Sequence, residues 1–166
     1  MSIDILKYEN AILYLCKKSG GKVEGMTKLY KLLYYIDFGH FEYKESMKTI
    51  TGDEFKHRDN GPVPISCAAI INEMIKVGKL QTELVDIGYD NPMTVFVALN
   101  DPDTSVFDED EIYILEYVIK KYGRLSGTEL SRLTHAEAPY VATDSGETIP
   151  FELGFYRGTD FSNALV

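Results

Sequence analysis

The sequence predicts an α+β fold, mostly α-helical: a single domain with a central buried helix and a small β-hairpin or sheet. Three observations carry this. The stretch Met26 to Phe41, MTKLYKLLYYIDFGHF, is apolar on nearly every helical face, which places it inside a domain. Other segments repeat apolar residues at helical spacing and end at glycines or begin at capping residues. Leu80 to Ile87 and Thr94 to Leu99 flank the turn-rich Gly88-Tyr89-Asp90-Asn91-Pro92, the pattern of a hairpin.

In chain order, Ile5, Tyr8, Ile12, Leu15 and Cys16 share one face. They predict a first helix from about Asp4 to Lys18, stopped by Gly20-Gly21, with Lys17 and Lys18 suited to its negative end. Thr27 is the expected cap of the central helix. Behind it Leu29, Leu32, Leu33 and Ile36 form one stripe, Tyr30, Tyr34 and Phe41 a second, and Tyr35 and Phe38 a third. Lys28, Lys31, Asp37 and His40 interrupt these stripes, and a charge in a buried helix needs a partner or a route to water. The lysines are expected to run their stems along the core and reach water. Lys31, Asp37 and His40 are assigned to a structural polar cluster.

A short strand is expected from about Thr51 to Arg58. Asp59-Asn60-Gly61-Pro62-Val63-Pro64 is the strongest turn in the sequence. Pro64 suits the first position of a new helix, predicted to run through Cys67, Ile70, Ile71, Met74 and Val77 to Gly78. After the hairpin, Asp108 with Glu111 resembles a capping box. It opens a helix through Ile112, Ile114, Leu115, Val118 and Ile119 that stops at Gly123. Ser126 with Glu129 caps another short helix through Leu130 and Leu133. Phe151, Leu153, Phe155 and Tyr156 are expected to pack on the body.

A chain of 166 residues suits one domain, residues 1–166, with a sizeable core. The net charge of −9 repels nucleic acid and suits solubility or a basic protein partner. Cys16 and Cys67 lie among apolar residues and read as core thiols of a reducing compartment. No apolar run reaches membrane-spanning length, and Met1-Ser2-Ile3-Asp4 lacks the basic start of a signal peptide. The expected location is the cytoplasm, with no membrane partner.

Asp37 and His40, three apart, with His57 nearby, begin a metal or acid–base pattern, but no complete ligand set follows. Ser66 and Ser131 lack a His and an acid at recognisable spacing. No phosphate-cradling glycine loop is present. No metal, cofactor or catalytic residue is expected. The order of the Pro64-to-Val77 helix and the hairpin outlines a DNA-reading winged helix. That helix offers only Asn72 and Lys76, beside Glu73, to base edges, so DNA binding is the weaker alternative.

Several motifs together resemble the Panacea domain, an antitoxin and phage-associated family that includes SocA-like proteolytic adaptors. They are Lys28-Leu29-Tyr30-Lys31-Leu32-Leu33-Tyr34, Thr51-Gly52, Gly61-Pro62-Val63-Pro64, and Ser131-Arg132-Leu133-Thr134-His135 with Pro139-Tyr140. The resemblance runs from the first helix to about Phe155. This chain departs from it at Asn60, where an aromatic residue is frequent, and at Tyr140, where Trp is. The family's Gly-Pro-Val segment often has one more residue before the second proline than Gly61-Pro62-Val63-Pro64 has here.

The resemblance implies a mostly helical domain with a small β element that neutralises a toxin encoded beside it. Neutralisation is by direct complex formation or by delivery to a cytoplasmic protease, with no enzymatic activity implied. The expected partner-binding residues are Tyr35, His57, Arg58, Gly61 and Pro62. Twelve tyrosines and no tryptophan suit either an interface or the edge of a core. In the adaptor alternative, the apolar Ala164-Leu165-Val166 is a candidate handle for the protease.

Overall fold

The computed structural model describes residues 2–164. Six α-helices and five short strands are present among them: α1 Ile5–Lys18, β1 Lys22–Glu24, α2 Met26–Glu42, β2 Phe55–Arg58, β3 Gly61–Pro64, α3 Cys67–Lys76, β4 Leu80–Val85, β5 Met93–Ala98, α4 Glu109–Tyr122, α5 Gly127–His135 and α6 Ala138–Val141. The α+β, mainly helical class and the hairpin follow the sequence-based expectation.

The central helix is the axis of the molecule. From Leu29 to Phe41 every residue of α2 except Tyr30 is buried. Around it pack α4, α5, β1, β3 and the 3-10 segment Phe151–Tyr156, while α1 covers a further side. Leu29, Leu32, Leu33, Ile36 and Phe38 have no exposed surface. Tyr34, Phe38, Phe55 and Phe151 form a chain of edge-on and tilted rings beneath them.

Asp4 caps α1 by accepting from the Lys7 N–H. Both predicted capping boxes form, at Asp108 with Glu111 and at Ser126 with Glu129. At α2 the expected Thr27 cap gives way to Gly25, whose φ of +109° turns the chain straight out of β1. Such a φ is open to glycine at little steric cost.

The sheet is antiparallel with strand order β1-β5-β4. Val23 faces Phe96 across one pair, and Leu80 to Val85 run against Ala98 to Met93 across the other. β1 was not anticipated, because three residues are too few for an alternating pattern; β5 recruits them.

A larger correction concerns Pro64. It does not start a helix: Gly61–Pro64 is a strand paired with β2, from Arg58 opposite Gly61 to Phe55 opposite Pro64. Gly61 and Val63 both precede prolines, which disfavours the helical region at each. A strand with two prolines is tolerable here because β3 has one strand neighbour. The helix begins three residues later, at Cys67. The β2 strand is correspondingly shorter than expected, since Thr51 and Asp53 are buried in the loop before it. The short α6 was also not anticipated.

Candidate functional site

Except for Thr51-Gly52, the motifs that stand apart in sequence meet at the β2–β3 turn. Four backbone carbonyls of this turn accept side-chain hydrogen bonds from three helices. Tyr140 on α6 donates to the Arg58 carbonyl at 2.7 Å. His135 Nε2 on α5 lies 2.9 Å from the Asp59 carbonyl. Ser131 Oγ donates to the Asn60 carbonyl at 2.7 Å, and Lys31 Nζ on α2 to the Pro62 carbonyl at 2.8 Å.

His57 stacks flat on the Tyr140 ring, centroids 3.7 Å apart. Its Nδ1 lies 3.0 Å from Thr143 Oγ1. The Thr143 hydroxyl is itself donated to the Pro139 carbonyl, so the His57 nitrogen is the donor to it. His135 tilts against the same tyrosine at 4.3 Å.

Gly61 makes the close approach possible. Its φ is +114°, and a Cβ there would sit 2.5 Å from Lys31 Cε and 2.8 Å from Thr134 Oγ1. Lys31 has no exposed surface, so it does not reach water as expected. Burial pushes its ammonium down to about 8. The cation is held against a carbonyl rather than a carboxylate. Lys28, half-buried, reaches the Gly123 carbonyl at 2.7 Å.

Lys31, Asp37 and His40 do not form a single cluster. Lys31 fastens the Pro62 carbonyl, whereas Asp37 and His40, about one turn apart, both hold the loop at residues 48–51. Asp37 accepts from the Ile50 and Thr51 N–H groups at 2.9 and 3.0 Å and from the Thr51 hydroxyl. Burial raises its carboxyl to about 7 against the pull of those hydrogen bonds. His40 Nδ1 lies 2.7 Å from the Lys48 carbonyl.

Tyr35, expected at the partner surface, is only 1% exposed. It stacks on Tyr122 at 3.8 Å and donates to Glu137 Oε2. Of the expected partner residues, Gly61 and Pro62 are also buried, His57 is half-buried and Arg58 is exposed.

A buried polar network, which sequence reasoning missed, lies behind Tyr35. Arg157 spans Glu42 at 2.5 Å and Glu137 at 3.2 Å, and Tyr34 donates to Glu137 at 2.8 Å. Burial works against the Arg157 charge, and Tyr34, Glu137 and Glu42 more than reverse it. This network ties the C-terminal segment to α2 and α6. The signal was faint: a lone Arg in an aperiodic tail has no spacing to mark it.

Among the described residues, His40, Asp108 and Glu111 have potential ligand atoms within 4.8 Å of one another. The two acids are engaged in the α4 capping box, and Glu111 Oε2 pairs with Lys7 at 3.0 Å. The cluster already has its cation. His57 and His135 sit apart from it, committed to the turn.

Beside the turn opens a cleft of about 760 Å³. The starts of α2 and α5 form one wall and residues Ile87 and Asn91 to Thr94 of the hairpin the other, with Asn60 and Ser131 at the rim. The turn residues Arg58, Asp59 and Asn60 are exposed. What the arrangement offers is an exposed, shaped surface, with the motif side chains spent on holding its turn.

No helix among the described residues is long and apolar enough to cross a membrane. Comparison with curated proteins and with solved structures gives no match. The family model described as "Antitoxin SocA-like, Panacea domain" matches residues 29–140. That span begins in α2 and ends at Tyr140, so it takes in each side chain that fastens the turn, and the chain belongs to the SocA-like Panacea antitoxin family.

Proposed function

We propose that this protein neutralises a cognate toxin by binding it directly, through the surface formed by the β2–β3 turn and the adjoining cleft. One observation carries the reading. Lys31, Ser131, His135 and Tyr140 all point their polar atoms at carbonyls of the turn, which leaves Arg58, Asp59 and Asn60 presented in a fixed conformation. A preformed surface binds without the cost of ordering a loop. The net charge of −9 favours a basic partner. Two free, buried thiols are in keeping with a cytoplasmic site of action.

The same charge disfavours nucleic acid. α3 is followed by a hairpin, but its exposed side offers Asn72 and Lys76 beside Glu73, a poor set for reading bases. The protein acts as a binding module rather than an enzyme.

The test is co-expression with the product of the adjacent reading frame. Growth should be restored when that product is toxic, and the two should co-purify. Arg58→Ala, at an exposed position, should weaken the complex by more than about 1 kcal/mol while the melting temperature holds. His57→Ala should weaken it as much and still fold, at a lower melting temperature, because it also loses the Tyr140 stack and the Thr143 hydrogen bond. Equal affinity of both variants would move the interface away from the turn. Absence of any complex would overturn the reading.

A further inference from the structure

We propose that the free edge of β4 receives an extended, basic segment of the partner, which adds to the β1-β5-β4 sheet as a fourth strand. That the partner is a toxin rests on the function proposed above; the edge itself is argued from the fold.

β4 lies at the end of the sheet order, paired only with β5 among the described residues. Such an edge presents a row of unpaired N–H and C=O groups. Natural edges are commonly blunted by proline, lysine, a bulge or extreme shortness. From Leu80 to Val85, β4 contains neither proline nor lysine. Its register with β5 runs residue by residue for six pairs without a bulge. Only Leu80 is buried, and Gln81 to Val85 are all exposed. The strand therefore projects past the body on the support of β5. Six residues is a length suited to strand addition by a peptide segment.

The side chains indicate what would cover it. Leu84 shares a face with Leu80, two steps of the pleat away. Leu80 is buried, whereas Leu84 is 72% exposed, so the apolar face of the strand continues beyond the core uncovered. Val85, Ile87 and Tyr89 at the hairpin end are exposed as well. The charges between them are Glu83, Asp86 and Asp90. The cation of the hairpin, Lys79, is paired with Glu9 at 3.3 Å. A second copy pairing edge to edge would bring two sets of these acids together. A strand bearing Lys or Arg with apolar side chains between them meets both the charge and the exposed leucine.

The experiment measures amide hydrogen exchange of the full chain, alone and with the product of the adjacent reading frame. In the complex the amides of Gln81 to Val85 should slow by at least about tenfold. Leu84→Lys and Glu83→Lys, both at exposed positions, should weaken the complex by about tenfold or more. Their melting temperature and their free-state exchange elsewhere should not change.

A complex that forms with β4 unprotected, or with both variants binding as wild type does, overturns the edge proposal and leaves the direct-binding function standing. Protection of β4 in the isolated chain, rising with its concentration, overturns it in favour of self-pairing. Failure of the wild-type chain to bind at all overturns the function and this proposal with it. Should Leu84→Lys lower the melting temperature, the wild-type exchange measurement still decides.

Discussion

Asp37 shows how much one side chain of the central helix is asked to do. It has no exposed surface and collects two backbone N–H groups and a hydroxyl from residues 50 and 51. Burial raises its carboxyl from 3.8 to about 7 in the folded chain, so the native state holds a proton that the unfolded chain releases. The contribution of this group to stability is fully present below about pH 4 and falls as the pH rises towards 7, by at most roughly 1.4 kcal/mol per unit. Asp37→Asn cannot titrate. Denaturant midpoints of both proteins at pH 4.5, 6 and 8 should show wild type losing ground to Asp37→Asn across that interval. A constant difference would mean that the hydrogen bonds keep Asp37 ionised throughout. Lys31 is a similar case of opposite sign, a buried cation satisfied by the Pro62 carbonyl. Both residues were visible in the sequence as polar interruptions of an apolar helix. Their partners were not, because each lies in a loop whose path follows from the packing of the whole chain.

Among the elements, α2 was the most legible and is the most consequential. Its apolar stripes cover all sides, and all sides are in fact occupied. Leu32 is fully buried at its centre. Leu32→Ala should cost about 2–5 kcal/mol, read as a drop in the denaturant midpoint; a melt matching wild type would show that neighbours collapse into the space. The capping boxes at Asp108 and Ser126 were legible because they are local: four consecutive residues suffice to form them. The failures have the opposite character. Pro64 reads equally well as the first residue of a helix or as an extended one, and the choice was made by β2 pairing alongside it. Lys22–Glu24 becomes a strand only because β5 arrives from seventy residues away. The site was legible in part. The motifs named Lys31, Ser131, His135 and Tyr140, which meet at the β2–β3 turn, and the sequence placed Tyr35 outside when the Tyr122 ring and Glu137 hold it inside.

For the whole molecule, the function proposed above can be carried out by occupying the toxin or by delivering it for degradation. The surface described above favours occupancy: a turn clamped from α2, α5 and α6 and an open strand edge both offer contact without rearrangement. Delivery requires in addition a segment that a protease engages. The apolar end named from the sequence is Ala164-Leu165-Val166, of which Leu165 and Val166 lie outside the described residues. If occupancy suffices, rescue from the toxin should be undiminished in cells lacking the major cytoplasmic proteases, and the toxin should accumulate to the same level with or without its partner. Immunoblots of toxin abundance alongside growth measure both. Loss of rescue in those cells while the complex still co-purifies would establish delivery instead. Appending charged residues after Val166 should then abolish rescue in protease-proficient cells, whereas under occupancy the same extension leaves growth and complex formation unchanged, since no residue of that end is assigned to the binding surface.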